Sequence, residues 1–310
     1  MFEVKKYDAS LSAEWDQVVN SSKNGNFLHL SQYFRYHEDR FDDASLIIYK
    51  KNRPVAVFPA NRIENTIYSH SGLTYAGLIF SKDVGCSAVL SIFDVLKIYY
   101  NELGASSLVY KCIPSVFTSY PAEEDLYALF RNDAKLFRRD VSSVVEIANA
   151  PKLSDSRKCV IRKAEKNSVS FSAQVSAADF HALLSKVLER FDSKPVHSVD
   201  ELELLISRFP DEIKLYGAVR DNNLLAGALV FDFGHIVHTQ YLAASDVGRQ
   251  VGALDFVLNN LISNVYCLRK YFSFGISTED AGTTLNEGLI SQKEGFGARA
   301  VVHDFYRMEL

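Results

Sequence analysis

The segment TQYLAASDVGRQVGALDFVLNNLI, residues 239–262, decides the fold. It opens with residues suited to a buried strand, passes through Asp-Val-Gly, and continues with apolar residues at helical spacing. Because the apolar positions from Val251 to Val265 lie three or four residues apart, the pattern predicts a long helix over about 250–268. A glycine-containing turn that enters a helix directs backbone N–H groups toward an anion. The segment therefore predicts a strand–turn–helix unit with a candidate phosphate cradle.

The spacing of the two glycines leaves a second interpretation open. Gly248 would then only turn the chain, and Gly252 would only allow the helix to pack closely on a sheet. The pattern lacks the GK[ST] of a P-loop and the GxGxxG of a dinucleotide fingerprint. Spacing alone does not decide between a cradle and a packing role.

A second copy of this unit occurs 163 residues earlier. Asp83-Val84-Gly85 aligns with Asp246-Val247-Gly248, and each copy predicts a strand, a turn, a long helix and a strand. Val89 stands where the later copy has Gly252. A β-branched residue hinders close backbone approach, so the first copy is predicted to have lost the cradle and the second to retain it.

The repeat and the chain length together predict two domains. A chain of 310 residues corresponds to about two domains of ordinary size. The small, polar segment ANAPKLSDS, residues 148–156, has the composition of a linker. We therefore predict an α/β protein with domains at 1–150 and 151–310, each a mixed sheet flanked by helices.

Composition excludes several classes of protein. The chain is 47% hydrophobic with a formal net charge of −4, which disfavours disorder and a broad basic surface for DNA. No signal peptide and no run of about 18 apolar residues is evident. The cysteines form no CxxC pair, so neither a metal site nor a disulfide framework is predicted, and the cytoplasm is the expected compartment. They are Cys86, Cys112, Cys159 and Cys267.

The segment that follows the strand resembles the acyl-CoA-binding motif of GNAT acyltransferases, [QR]-x-x-G-x-[GA]. Arg249-Gln250-Val251-Gly252-Ala253 matches its first four positions as R-x-x-G. The final small residue is displaced, because position 254 is Leu. This departure affects the way in which the segment would contact the pyrophosphate of acyl-CoA.

The wider sequence resembles the double-GNAT group, which includes FemAB/FemX-type peptidoglycan transferases. The resemblance covers nearly the whole chain, and its most specific part is LNEGLISQKEGFGAR, residues 285–299. The chain lacks the coiled-coil arm of FemA-like transferases that use aminoacyl-tRNA, and its acidic balance also disfavours a tRNA donor. The resemblance therefore implies two tandem GNAT-like domains, with the acceptor side in the first and the acyl-CoA site in the second.

The activity that the resemblance implies is transfer of an acyl group, most simply acetyl, from acyl-CoA to an amine of a cell-envelope glycan or peptidoglycan precursor. One alternative is FemX-type transfer from aminoacyl-tRNA, and another is a GNAT-fold binding protein without catalysis. The sequence leaves open the acceptor, the acyl chain and the oligomeric state.

The resemblance also implies site residues. The acyl-CoA contacts are expected from the strand and the cradle: Thr239, Leu242, Ala243, Gly248, Arg249, Gln250, Val251, Gly252 and Ala253. Catalytic groups are expected among Tyr241, His238 and Glu279. The acceptor is expected to contact His70, Thr74, Tyr75 and Lys163. Each has an ordinary alternative: Tyr241 in the core, Glu279 as a helix cap, His238 on a hairpin surface, His70 to Tyr75 as plain strand residues, and Lys163 on a solvated basic helix.

Overall fold

The structure, a computed structural model, describes residues 2–310, apart from the side chains at positions 37 and 38. The chain forms two compact units. The first comprises the chain up to Asp140 with Asp280–Thr283 and Val302–Leu310, and the second comprises Val141–Glu279 and Thr284–Val301. The sequence places its domain boundary at 150/151, whereas the chain first passes between the units at Asp140/Val141.

The elements follow in chain order. The strands are β1 Phe2–Lys6, β2 Asp42–Asp43, β3 Leu46–Lys50, β4 Arg53–Phe58, β5 Asn61–Ile63, β6 Thr66–Tyr68, β7 Ile79–Phe80, β8 Ser107–Lys111, β9 Lys135–Glu146, β10 Ser170–Ser172, β11 Ile213–Arg220, β12 Asn223–Asp232, β13 Ile236–Ala244, β14 Tyr271–Ile276, β15 Thr278–Glu279, β16 Thr284–Leu285 and β17 Arg299–Glu309. The α-helices are α1 Ser12–Ser21, α2 Ser31–Phe34, α3 Cys86–Glu102, α4 Glu124–Arg131, α5 Asp155–Lys166, α6 Ala177–Leu188, α7 Val199–Arg208, α8 Asp246–Val251, α9 Ala253–Asn260 and α10 Glu287–Glu294. Short 3₁₀ segments occupy Ala9–Leu11, Phe27–His29, Arg35–Arg40, Ser115–Phe117, Ile147–Asn149, Glu189–Phe191 and Asp280–Gly282, and Leu261–Val265 is a π-helix.

The first unit contains one sheet ordered β1-β3-β4-β7 and the strand series β17-β8-β6-β5-β2. The segment KKNRP, residues 50–54, lies between two apolar runs and predicts a hairpin. The structure confirms it as β3 and β4, and the turn residues Lys51 and Asn52 both have positive φ. That conformation suits the twist of a two-residue hairpin turn. The helix α3 buries Val89, Phe93 and Tyr100 on one face in the core of this unit.

The sequence YAGLIF, residues 75–80, predicts a strand that follows Ser71-Gly72, but most of it is not a strand: only β7, at its end, is. Side chains satisfy the backbone in place of a neighbouring strand. The N–H of Leu78 donates to the Tyr110 hydroxyl at 2.8 Å, and the N–H of Phe80 donates to Asn24 Oδ1 at 3.1 Å. The periodicity of apolar residues does not reveal side chains that accept hydrogen bonds from the backbone.

The second unit is built on the strand series β10-β11-β12-β13-β14-β9. Neighbouring strands are antiparallel except β13 and β14, which are parallel. The sequence predicts a helix over 199–208 and strands over Ile213–Arg220 and Tyr271–Ile276, and the structure confirms all three residue for residue as α7, β11 and β14. Helices α5 and α9 pack with β11, β12 and β13 around a shared apolar core.

The continuous helix predicted over 250–268 is wrong. Helix α8 spans Asp246–Val251 and is followed by its C-cap Gly252, whose φ of 80° is left-handed, and α9 starts only at Ala253. Ser245 caps α8 by accepting from the N–H of Gly248. A glycine in this conformation is a common helix terminator. The spacing of apolar residues is the same on both sides of the break, so periodicity alone cannot detect it.

The break also changes the repeated motif. In the first copy Gly85 is the N-cap of α3, so Asp83 and Val84 precede the helix. In the second copy Asp246, Val247 and Gly248 form the first turn of α8. The order of strand, helix and strand is common to both copies. Within residues 2–310, no helix combines the length and apolar character needed to cross a bilayer.

Candidate functional site

The strands β13 and β14 form a fork in the second unit. They pair over only three residues, Ile236–His238 against Tyr271–Ser273, although both strands continue further. The register of β13 on β12 also shifts at Gln240, since Leu229 faces Tyr241 while Val230 faces Thr239. A bulge of this kind bends the strand and re-aims its side chains. Beyond the fork, β13 therefore presents backbone groups that β14 does not pair.

His238 and Thr239 lie at the base of the fork, where sequence reasoning expected a catalytic group and a donor contact. His238 Nδ1 is 3.0 Å from Ser273 Oγ, and Thr239 Oγ1 donates to the carbonyl of Ser273 at 3.4 Å. Both side chains are buried. A methyl group on Gly275, whose φ is 75°, would come 3.4 Å from His238 Cε1. The His238 imidazole is therefore closely packed against Ser273 and Gly275, where the two strands separate.

Tyr241 follows the bulge and is paired with His197. The Tyr241 hydroxyl lies 2.7 Å from His197 Nδ1, and the two rings meet edge to face at 5.7 Å. Burial raises the pKa of Tyr241 to about 12, although the Gln240 side chain and the backbone of Val196 and His197 act in the opposite direction. The phenol is therefore protonated at neutral pH.

His197 was not identified from the sequence. It immediately precedes Ser198, which caps α7 and forms a capping box with Glu201. The His197 ring is buried, and its carbonyl oxygen lies 3.2 Å from His181 Nε2. The S-x-x-E signature of a helix start was available in the sequence. Its contact with Tyr241 joins residues 44 positions apart, which no local pattern reveals.

Both glycines of the cradle predicted at 248–253 are packed against protein. A methyl group on Gly248 would overlap the carbonyl oxygen of Leu225 in β12. A methyl group on Gly252 would come 2.6 Å from the carbonyl oxygen of Val160 in α5. Val251 and Ala253 are buried as well. These glycines therefore permit close packing, as the second interpretation of their spacing proposed.

The beginning of α9 carries its own anion. Asp255, in the first turn, accepts from Arg157 Nη1 at 2.6 Å and from Gln292 Nε2 at 3.2 Å. Burial raises the pKa of this carboxyl, while Arg157 and Gln292 oppose the shift. Arg157 belongs to α5 and Gln292 to α10, so this network joins three helices at the place where the motif predicts a phosphate.

Two cradle residues are exposed, Arg249 and Gln250. Arg249 forms an ion pair with Asp246 on the same helix. Arg190 approaches the same carboxylate, with its Nη2 2.8 Å from Asp246 Oδ2. The exposed side of α8 therefore has two guanidinium groups around one carboxylate.

The other predicted residues of the second unit are spread over several elements. Leu242 and Ala243 continue β13 beyond the bulge, and Ala243 is buried. Glu279 is exposed in the β15–β16 hairpin and accepts from Asn286 Nδ2 at 2.7 Å. Lys163 is exposed on α5. The fork thus gathers His238, Thr239 and Tyr241, while Glu279 lies in a hairpin.

The acceptor residues predicted in the first unit differ in accessibility. His70 is buried, with its ring 5.0 Å from that of Phe41. Tyr75 is also buried, and its hydroxyl accepts from Asn26 Nδ2 at 3.2 Å. Burial raises the pKa of Tyr75 far above its usual range. Thr74 is exposed, so among the three it alone presents its side chain to solvent.

Two lysines donate hydrogen bonds to backbone carbonyl groups. The sequence did not identify either of them as a site residue. Lys293 Nζ donates to the carbonyls of Gly275 and Ile276 at 2.9 and 2.6 Å and to Ser277 Oγ at 2.8 Å. Burial lowers its pKa to about 8. Lys293 thereby fixes the end of β14, one arm of the fork. It belongs to LNEGLISQKEGFGAR, the most specific part of the family resemblance.

Lys111 has the corresponding arrangement in the first unit. Its Nζ donates to the carbonyls of His70 and Leu73 at 3.0 and 2.8 Å. Burial, with a smaller effect of Arg138, lowers the pKa of Lys111 to about 8. The ammonium group therefore ties down the loop that carries Thr74.

This architecture is similar to that of several solved structures. No protein-family model and no curated protein matches the chain. Among solved structures it is similar to FemX, with a TM-score of 0.68 at 12% identity over 99% of this chain and 97% of that one. L-PGS from Bacillus licheniformis gives 0.65 at 10% identity over 98% and 92%. A tandem GNAT protein from the clavulanic acid biosynthesis pathway gives 0.55 at 10% identity over 100% and 98%. The chain therefore has the mixed α/β, double-GNAT fold of the FemAB-like proteins.

Proposed function

We propose that the protein is an acyltransferase that moves an acyl group from an activated donor to an amine, with its reaction centre at the β13–β14 fork. The observation that carries the proposal is the early separation of the parallel strands with His238 at its base and the Tyr241–His197 pair beside it. Unpaired backbone groups of β13 can bind an extended donor arm. Two titratable groups lie on the same strand.

The chemistry requires one bond exchange. The amine nitrogen attacks the acyl carbonyl carbon, the bond from that carbon to the leaving group breaks, and an amide forms. One proton leaves the amine and one joins the leaving group. Holding both reactants in place supplies much of the rate, and positioned acid and base groups add to it.

Tyr241 and His238 suit the two proton transfers. Burial raises the pKa of Tyr241 to about 12, so the phenol is protonated at neutral pH. Its position on the free part of β13 is what makes it the group proposed to protonate a departing thiolate. His238, at the base of the fork, is the candidate base for the amine. His197 contacts the Tyr241 hydroxyl and neither reactant in this scheme, so it positions the acid. Glu279 lies in the β15–β16 hairpin, and we propose it only as a residue that contacts a reactant from there.

Acyl-CoA is the donor we propose first. Thr239, Leu242 and Ala243 lie along the free part of β13, where a pantetheine arm would pair. The exposed guanidinium groups of Arg249 and Arg190 would bind its phosphates. Gly252 and Ala253 are covered by protein, so they support the site by packing.

An aminoacyl-tRNA donor is the second candidate, and one observation favours it. Helix α5 covers the start of α9, and Asp255 supplies a negative charge there. Both features oppose a pyrophosphate at the position typical of the acyl-CoA motif. The family resemblance includes FemX-type transferases, for which the donor is aminoacyl-tRNA.

The acceptor we propose is an amine on a cell-envelope glycan or peptidoglycan precursor. Thr74 is the exposed residue of the first unit that we propose as a contact for it, and Lys163 is a separate candidate in the second unit. Lys163 belongs to a basic helix that suits a phosphate-bearing precursor. His70 and Tyr75 are proposed to act indirectly, by shaping the loop that presents Thr74.

The donor is tested by binding. Acetyl-CoA should raise the melting temperature if acyl-CoA is the donor, whereas charged tRNA should give a gel shift if the second candidate is correct. Mass spectrometry of reactions with a panel of nucleotide-linked sugars then identifies the product. Failure of both donors to bind contradicts the proposed function.

The role of Tyr241 is tested by Tyr241→Phe, with Tyr120→Phe as the matched control on an exposed tyrosine. General acid catalysis contributes about 10²–10⁴-fold, so kcat should fall at least 10²-fold in Tyr241→Phe and stay unchanged in the control. His197→Gln should lower kcat less and shift the pH profile. A Tyr241→Phe protein with parental kcat would refute the assignment.

A further inference from the structure

A cavity of about 660 Å³ lies beside β11 in the second unit, and β11 is two strands from β13 in the sheet. Its walls come from the segment after β10, the C-terminal half of α7 and the first half of β11. Val175 and Ile206 contribute apolar surface, while Glu203, Ser207 and Lys214 contribute polar groups. The cavity is therefore mixed in character, with both charges at its wall.

The cavity follows an open strand edge. Strand β10 pairs only with Gly217–Val219, the second half of β11. The first half, Ile213–Tyr216, has no strand neighbour on that side among the residues that the structure describes. These four residues line the cavity. An unpaired edge is a template for another extended chain.

The direction of the backbone groups follows from the pairing on the other side. The N–H of Asp232 donates to the carbonyl of Glu212 at 2.7 Å. Because antiparallel bonds alternate along a strand, Lys214 and Tyr216 also bond to β12, and Leu215 points to the open side. Both the N–H and the carbonyl of Leu215 therefore face the cavity edge.

Ile213, the next residue whose backbone faces the open side of β11, offers one more hydrogen-bonding group. The N–H of Ile213 already donates to the carbonyl of Phe209 at 2.9 Å, so only its carbonyl is available. The edge thus presents one donor and two acceptors, which is the pattern that an added antiparallel strand satisfies. Side chains of that strand would alternate between solvent and the cavity.

We propose that this cavity is a subsite for an extended peptide, which adds a strand to the free edge of β11 and places one side chain in the cavity. Main-chain hydrogen bonds supply affinity and the cavity supplies selectivity in this mode of recognition. The proposal rests on the proposed function in one respect: the peptide is the part of the acceptor that carries the amine.

The position relative to the fork supports that link. Leu215 pairs with Leu229, and Leu229 pairs with Tyr241, so the three residues form one row across the sheet. Adjacent strands lie about 4.8 Å apart, which puts the backbone of Leu215 about 10 Å from that of Tyr241, and an added strand on the open side of β11 about 14 Å from it. Helix α7 starts just after His197 and ends beside the cavity. Its ten residues span about 15 Å, the length of four or five extended residues.

The free edge is tested on the protein alone. Hydrogen exchange of the Leu215 amide should be at least tenfold faster than exchange of the Lys214 and Tyr216 amides, which bond to β12. Equal protection of all three would overturn the proposal, because the edge would then be closed.

Peptide binding is tested by NMR titration with N-acetylated pentapeptide amides of alternating valine and threonine, with the central residue varied. Binding should shift the Leu215 amide. Ser207→Trp, which fills the cavity, should weaken binding at least tenfold, while Leu204→Trp, on an exposed position of the same helix outside the cavity wall, should change it less than twofold.

N-methylated peptides identify the mode. A methyl group on the nitrogen that faces the Leu215 carbonyl should abolish binding, and one on the next nitrogen should not. A panel in which no peptide shifts the Leu215 amide, or in which both methylations are equivalent, would overturn the proposal. Binding is measured without a donor, so peptide binding without acyl transfer would count against the proposed function alone. Acyl transfer to an amine without peptide binding at β11 would count against the cavity alone.

Discussion

Replacement of Gly252 by alanine separates packing from ligand binding at the break between α8 and α9. Gly252 has φ of 80°, and an added methyl group would come 2.5 Å from Val160 Cγ1 and 2.6 Å from the Val160 carbonyl oxygen. The sequence pattern places Gly252 inside one long helix, where an alanine would be favourable. The structure instead gives Gly252 a left-handed conformation against the backbone of Val160, so we expect alanine to destabilise the protein.

Gly234→Ala is the matched control. Gly234 has φ of 87°, and nothing lies within 4 Å of its hypothetical methyl group. The left-handed conformation costs an alanine about 1–2 kcal/mol, which applies to both variants. Overpacking adds about 1–3 kcal/mol to Gly252→Ala only. We therefore expect a loss of about 1–2 kcal/mol for Gly234→Ala and about 2–5 kcal/mol for Gly252→Ala.

The measurement must report on the second unit. Trp15, the only tryptophan, is buried in the first unit, so its fluorescence follows the other half of the chain. Hydrogen exchange over 253–260, combined with circular dichroism, gives the free energy of opening for the correct unit. Equal stability of the two variants would refute the packing argument. A stable Gly252→Ala that loses only acetyl-CoA binding would restore the phosphate cradle.

Two further predictions concern pH. The pKa of Lys293 in the folded protein is lowered from 10.5 to about 8, so its contribution to stability is present above pH 10.5 and is lost as pH falls through 8. In denaturant titrations, the free energy of unfolding of the parent should therefore rise between pH 8 and pH 10.5 relative to that of Lys293→Met. An identical slope in both proteins would contradict the burial of the ammonium group. Burial raises the pKa of Asp125 from 3.8 to about 6, so its contribution is present below pH 3.8 and lost as pH rises through 6, and Asp125→Asn should abolish that loss. A parent that is no less stable at pH 7 than at pH 4, relative to the variant, would show that the carboxyl is solvated.

The sequence by itself determined the fold class and many of the elements. The ranges predicted for α7, β11 and β14 agree with the structure, because runs of residues with one preferred conformation are local properties of the chain. The repeat and the R-x-x-G segment led to the double-GNAT architecture that comparison with solved structures confirms.

Only the tertiary structure decided what the glycines do and which groups meet. The role of Gly252 depends on Val160, 92 positions earlier and on a different helix, and apolar periodicity is blind to that contact. Tyr241 meets His197, and Lys293 meets the end of β14, only after the sheet and helices are assembled. Hydrogen bonds and steric limits act between neighbours in space, whereas a sequence pattern reports neighbours along the chain. The fold was therefore readable from the sequence, and the composition of the site was decided by packing.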